Sequence, residues 1–180
     1  MVTGGAGYIG SHVIAHLGQR GEDVLVLDDL STGHAQALLF GKLLVGDVGD
    51  GDLMLKLLIE QNIDTVIHFA AKIIVPESVA KPLDYYDTNT ARARVLLEAC
   101  RLAGVSQFIF SSTAAVYGDV ASGIADEQTP TLPMNPYGRS KLTTEWMLRD
   151  LAAVTDLRFV TLRYFNVAGC DHLGRIGQDS

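Results

Sequence analysis

Cysteine is almost missing from this sequence: Cys100 and Cys170 are the only two, with no CxxC spacing and no cysteine-rich surroundings. That excludes a disulfide framework and a zinc site, and makes a reducing, cytoplasmic setting the expectation. Proline is scarce as well, and three of the five, Pro130, Pro133 and Pro136, share one loop. No other stretch has the composition of a linker, so residues 1–180 read as one domain. Basic side chains are outnumbered, 14 Lys and Arg against 21 Asp and Glu, for a net charge of −7. Such a field repels phosphodiester backbones, and with no basic stripe to offset it no nucleic-acid partner is expected. No apolar run approaches the roughly 20 residues that span a bilayer. The opening Met1-Val2-Thr3-Gly4-Gly5 lacks the basic stretch and apolar core of a signal peptide. A soluble protein without a membrane partner is expected.

The sequence does have enough apolar residues to fold: 48% hydrophobic against 19% charged places it among globular chains rather than disordered ones. Apolar runs at 24–28, 43–46, 65–70, 107–111 and 159–166 predict strands, and their few polar interruptions suit strands buried on both faces. Between them, helical periodicity predicts helices at 9–19, 53–61, 85–103 and 137–154, with Gly21 and Gly104 as left-handed stops after the first and third. Alternating strands and helices of these lengths give an α/β, doubly wound, Rossmann-type parallel sheet with helices on both faces.

Between the short apolar start and the first helix, Gly4, Gly7 and Gly10 form a GxxGxxG loop. A first glycine permits a tight turn, a middle one lets the backbone approach a pyrophosphate, and a last one lets the helix lie close to the sheet. The helix N-terminus then offers unpaired N–H groups to phosphates. About 20 residues on, the run Val24-Leu25-Val26-Leu27 ends in Asp28, where a carboxylate accepts from the adenosine ribose and repels a 2′-phosphate. NAD is therefore preferred over NADP.

Tyr137 and Lys141 are four residues apart on a predicted helix, so their Cβ atoms lie about 6 Å apart on one face. A phenol with an ordinary pKa near 10 is a poor base at neutral pH. A unit charge about 5 Å away, at an effective dielectric of 20, is worth roughly 3 kcal/mol, or somewhat over two pKa units. Lys141 and an oxidised nicotinamide ring together are expected to bring Tyr137 near working pH. Thr113, after the strand Phe108-Ile109-Phe110-Ser111, offers a hydroxyl beside the reacting oxygen. His12 and His16, one helical turn apart, lack a visible third ligand and read as packing or surface residues, so no metal is expected. Tyr85 and Tyr86 read as packing residues of the long helix.

Many of these segments together resemble one family. They include Thr3-Gly4-Gly5-Ala6-Gly7-Tyr8-Ile9-Gly10-Ser11-His12, Leu27-Asp28-Asp29-Leu30, Val66-Ile67-His68-Phe69-Ala70-Ala71, Pro76-Glu77-Ser78-Val79, Asn135-Pro136-Tyr137-Gly138-Arg139-Ser140-Lys141 and Leu162-Arg163-Tyr164-Phe165-Asn166. The chain resembles the extended short-chain dehydrogenase/reductase superfamily, and within it the UDP-galactose (UDP-glucose) 4-epimerase family, over practically its whole length. The resemblance implies NAD contacts at Gly4, Gly7, Tyr8, Ile9, Gly10, Asp28, Asp29, Asp47, Val48, Phe69, Ala70, Ala71, Asn89, Lys141 and Phe165. It implies substrate contacts at Thr113, Tyr137 and Asn166, with Thr113, Tyr137 and Lys141 catalytic. It also implies a homodimer acting on a UDP-sugar. Family members have a few residues ahead of Val2 and continue well beyond residue 180. The C-terminal substrate domain is thus largely missing, and 166–180 is its expected start. Lys72 stands one place earlier than the family's lysine after the Phe-Ala pair.

By that resemblance the reaction is NAD-dependent epimerisation at C4 of a UDP-hexose, in which Tyr137 takes the 4-hydroxyl proton and a 4-keto sugar turns over before reduction on its other face. Sugar-nucleotide 4,6-dehydratases and decarboxylases share the glycine loop and the Tyr-Lys pair. They place acidic residues just after the Thr or Ser, where this chain has Ala114-Ala115. A non-catalytic dinucleotide-binding module needs neither Tyr137 nor Lys141, and for a chain of 180 residues that reading stays open beside the enzymatic one.

Overall fold

The computed structural model describes residues 1–178. Its first elements are β1 (Val2–Thr3), α1 (Tyr8–Gln19), β2 (Leu25–Asp28), β3 (Lys42–Val45), α2 (Gly51–Glu60) and β4 (Thr65–His68). Then come α3 (Val75–Ala80), α4 (Pro82–Tyr86), α5 (Arg92–Ala103), β5 (Gln107–Ser111), α6 (Pro136–Ala153) and β6 (Arg158–Leu162). The six strands are all parallel and ordered β3-β2-β1-β4-β5-β6. That is the doubly wound order anticipated from the alternation of strands and helices, and it reverses direction between β1 and β4. Among the described residues no helix is long and apolar enough to cross a membrane.

Helix ends follow local chemistry. Asp50 caps α2 by accepting from Leu53 N, and Asn135 caps α6 by accepting from Gly138 N at 2.8 Å, with Pro136 in the first turn where a missing N–H costs nothing. Gly21 and Gly104 take positive φ of 79° and 74° after α1 and α5, as left-handed stops do.

Three expectations are corrected. The strand expected at 65–70 ends at His68 and the one expected at 159–166 ends at Leu162, because beyond those residues the backbone leaves the ladder to form the loops at the sheet's carboxyl edge. The helix expected at 85–103 is α4 and α5 joined by a π-helical turn, Asp87–Ala91, where one extra residue per turn swings Asn89 inward.

Alternation along the strands divides the core. Val2, Val24 and Val26 pack with Ile14 of α1 on one face, while Leu25, Leu27, Val66, Phe108 and Phe110 pack with α2, α5 and Leu148 of α6 on the other. On the α1 side the outer strand is open, with Val160 and Leu162 exposed. At Gly10 the helix α1 touches the loop before it: a Cβ there would lie 2.4 Å from Gly4 O and 2.7 Å from Gly5 Cα, both backbone atoms that cannot step aside. Gly10→Ala is expected to lose about 1–3 kcal/mol of stability as an overpacked site. Urea unfolding followed by circular dichroism measures it, and an unchanged midpoint contradicts the packing described.

Candidate active site

The loops that follow the strands gather the expected residues along one edge of the sheet. Gly4, Gly7 and Gly10 follow β1, Asp28 and Asp29 end β2, Asp47 and Val48 follow β3, and Phe69, Ala70 and Ala71 follow β4. Thr113 follows β5, and Phe165 and Asn166 follow β6. In an open α/β sheet this carboxyl edge, at the point where strand order reverses, is where ligands bind.

Around the glycine loop each glycine differs. Gly4 has φ +69°, and a Cβ on it would lie 2.4 Å from Ala70 N, so the loop after β1 presses on the loop after β4. At Gly7 a Cβ would meet only Gly4 O, at 3.4 Å, an ordinary contact. The space beside Gly7 is thus not filled by the protein's own packing. No side chain caps α1 and its first turn holds no acid, so its N-terminal N–H groups have the arrangement that suits an anion. Asp28 is buried, with one carboxylate oxygen accepting from Ala6 N and the other from Leu30 N, both at 2.9 Å. It therefore ties the glycine loop to the β2 loop. Asp29 is exposed and accepts from the Ser31 backbone and hydroxyl. Asp47 accepts from Gly49 N and pairs with Arg92.

On α6, Tyr137 and Lys141 share a face as their spacing requires. Tyr137 is half-buried beside Thr113, whose hydroxyl oxygen accepts from Ala115 N at 3.1 Å, and the Tyr85 ring lies edge-on at 6.4 Å. Lys141 is fully buried; its Nζ donates to Ser111 O at 2.8 Å and lies 5.0 Å over the Phe110 ring. The profile of the NAD dependent epimerase/dehydratase family matches residues 1–176. The chain belongs to that family.

Among its relatives, the UDP-glucose 4-epimerase of Azospirillum brasilense is 54% identical over 99% of this chain and 51% of its own length. A crystal structure of UDP-glucose 4-epimerase from Brucella ovis in complex with NAD superposes with a TM-score of 0.96 at 43% identity, over 99% of this chain and 55% of that one. One from Bifidobacterium longum in complex with NAD+ and UDP gives 0.95 at 42% identity, over 99% of this chain and 56% of that one. The chain spans about half the length of the curated relatives it matches.

Burial dominates the electrostatics of the Tyr-Lys pair. The Tyr137 hydroxyl is pushed up from the ordinary phenol value, first by burial and then by Tyr164, while Thr113 pulls it down. The Lys141 amine is turned to Ser111 O, and its own pKa is brought down by burial to about 7. Asn89 is also used internally: its carboxamide accepts from Lys72 N and donates to Lys72 O and to Ser140 Oγ, so both of its N–H donors are engaged. Lys72 itself lies near Glu77 and Asp84, at 3.8 and 3.7 Å. Tyr8 donates to Gly169 O at 2.7 Å, tying the loop after β6 to α1. Phe165, 80% exposed, and Asn166, also exposed, are not drawn against Tyr137. The expected segment 166–180 is described as far as residue 178, with its last two residues outside. No group of three metal-binding side chains forms around His12 and His16 among the described residues.

Sequence reasoning missed His68, Glu145, Arg163 and Tyr164, all close to the Tyr-Lys pair or its supports. His68 is buried on β4, its Nδ1 2.6 Å from Thr3 Oγ1 and its ring stacked on Phe110. Burial first, and then Lys141, bring its pKa down to about 3. Between pH about 6.5 and about 3 the unfolded chain therefore binds a proton that the folded one refuses, and stability falls as pH falls through that window. Lys141 acts in the same sense at higher pH, its burial penalty fading from about 7 upward. His68→Asn is expected to flatten the acid limb of stability by up to about 1.4 kcal/mol per pH unit. Urea unfolding at a series of pH values checks it; an unaltered acid limb places the acid sensitivity elsewhere.

Proposed function

We propose that residues 1–180 are the NAD-binding domain of an enzyme that epimerises C4 of a UDP-hexose, interconverting UDP-glucose and UDP-galactose. The observation that carries this is the placement of Tyr137 and Thr113 together at the end of β5, on the edge where the glycine loop and the capless α1 fit a dinucleotide. The names of the full-length relatives support it, and Ala114 and Ala115 leave no carboxylate where a dehydratase or decarboxylase places one.

The residues suit a dinucleotide in separate ways. With NAD bound, Gly7 and the N–H groups of α1, with Tyr8 and Ile9, would hold the pyrophosphate and Asp28 and Asp29 the adenosine ribose, while Asp47, Val48, Phe69, Ala70, Ala71, Asn89 and Phe165 would line the rest. NAD supplies the acceptor and donor of the hydride. Tyr137 removes the proton from the sugar 4-hydroxyl and returns it to the 4-keto sugar after that sugar has turned, while Thr113 hydrogen-bonds the same oxygen. Lys141, whose pKa lies at about 7, gains its proton most readily with negative charge beside it, which couples it to a Tyr137 phenolate. Asn166 contacts the sugar nucleotide at the start of the substrate-binding segment. Association into a homodimer is part of this reading, with the exposed Trp146, Leu132 and Met134 offering an apolar face beside α6.

Because Asp28 also braces the loop, Asp28→Ala is expected to weaken binding of both cofactors and to shrink the preference for NAD over NADP. Calorimetric titration of both proteins with both cofactors gives the ratio, and an NADP preference in the unaltered chain defeats the assignment. The 180-residue chain is expected to bind NAD without converting UDP-galactose, since the resemblance puts the uridine-binding segments beyond it and remote binding energy holds the sugar in place. A coupled dehydrogenase assay tests this. In a protein carrying the whole enzyme, Tyr137→Phe is expected to cost 10²- to 10⁴-fold in rate, as loss of a positioned base does. Full turnover in that variant shows that another group acts as base.

A further inference from the structure

Tyr137, Lys141 and Glu145 recur every fourth residue on α6, so one face of the helix presents a phenol, an amine and a carboxylate in successive turns. Each faces the end of β5 or the two residues after it: Tyr137 lies beside Thr113, Lys141 Nζ donates to Ser111 O, and Glu145 accepts from the Ser112 hydroxyl. Glu145 is 2% exposed, and its charge is answered from a third element. Arg163, just after β6, donates through Nε and Nη2 to both carboxylate oxygens, and through Nη1 to the Tyr117 hydroxyl at 3.0 Å. Its guanidinium also lies 5.0 Å over the Tyr117 ring. Beside it, Tyr164 hydrogen-bonds Ser111 Oγ and accepts Ala114 N at its carbonyl. The residues on either side of Thr113 are thus both held, Ser112 by Glu145 and Ala114 by the backbone after β6.

We propose that Glu145, Arg163 and Ser112 form a positioning clamp that sets Thr113 against Tyr137 by locking the ends of β5 and β6 to the same face of α6. The clamp touches no reacting atom, and its consequence for chemistry rests on the reading of Tyr137 and Thr113 given above. A buried, charge-assisted and bidentate pair suits this work, because its geometry is narrow and breaking it leaves a buried charge unanswered. A surface pair would let the strand ends drift.

The position of Thr113 is readable without substrate, since its hydroxyl favours the Tyr137 phenolate. The groups that face Tyr137 are Tyr85 from α4, Tyr164 from the loop after β6, and Thr113 itself, with Lys141 one turn along its own helix. The test labels tyrosine with ¹³C at Cζ in the 180-residue chain, assigns the Tyr137 resonance with Tyr137→Phe, and follows it from neutral to alkaline pH. Thr113→Val removes the hydroxyl and is expected to raise the Tyr137 midpoint by about one unit, the worth of one hydrogen bond to a charged group. Ser112→Ala unhooks the strand from Glu145 without altering charge, and is expected to raise the midpoint in the same direction while Thr113 is intact. Glu145→Gln, where it folds, is expected to do likewise, although loss of a negative charge alone would lower the midpoint. A Ser112→Ala chain that melts earlier but keeps the Tyr137 titration of the unaltered protein overturns the clamp, leaving only a structural strut, while the reading of Thr113 survives. An unmoved midpoint in Thr113→Val overturns both.

Discussion

The close approach of the Gly4 turn to the backbone of Ala70 is the constraint on which the site depends. With φ at +69° and an Ala70 nitrogen where a Cβ would be, the loop after β1 can rest on the loop after β4 only because Gly4 has no side chain. That contact sits where strand order turns back on itself, and it aims α1 across the edge of the sheet. Gly10 then brings α1 down on the same turn, and Asp28 secures the turn from the β2 side through Ala6 N. Three loops far apart in sequence become one rigid rim.

Beneath the rim the interior carries more polarity than a hydrophobic core of this size needs. His68, Lys141 and Glu145 are all buried, and each is accommodated differently. His68 stays neutral against Thr3 and Phe110, Lys141 keeps its amine on a backbone carbonyl with a pKa brought down to about 7, and Glu145 is met by Arg163 at both carboxylate oxygens. Burial without a partner shifts a group toward neutrality, and burial with one preserves the ion. The same few layers thus hold a base-forming amine and a fixed ion pair one helical turn apart.

Much of this was legible before any coordinates. The order of strands and helices, the stops at Gly21 and Gly104, the close approaches at Gly4 and Gly10, and the shared face of Tyr137 and Lys141 follow from period, spacing and the special conformations of glycine, all of which are local. The legible part ended where contacts became long-range. Nothing local shows that the helix predicted at 85–103 opens into a π turn, since that turn is stabilised by the bonds of Asn89 to Lys72 and Ser140, 17 and 51 residues away. Nor does composition show that His68 lies against Thr3, 65 residues earlier.

By itself the sequence determined the parallel α/β architecture, the dinucleotide-type loop and the family to which the chain belongs. Periodicity and glycine positions act over a few residues, and they read the same in any environment. Only the tertiary structure decided the ionisation of the site and the internal partners of its side chains. Spacing puts Lys141 and Tyr137 on one helix face, but it is burial that takes the amine to Ser111 O and raises the phenol. Glu145 receives Arg163 and Ser112 from the ends of two strands, 18 and 33 residues away. A pKa depends on what surrounds a group in three dimensions, and that surrounding is assembled from residues the chain keeps far apart.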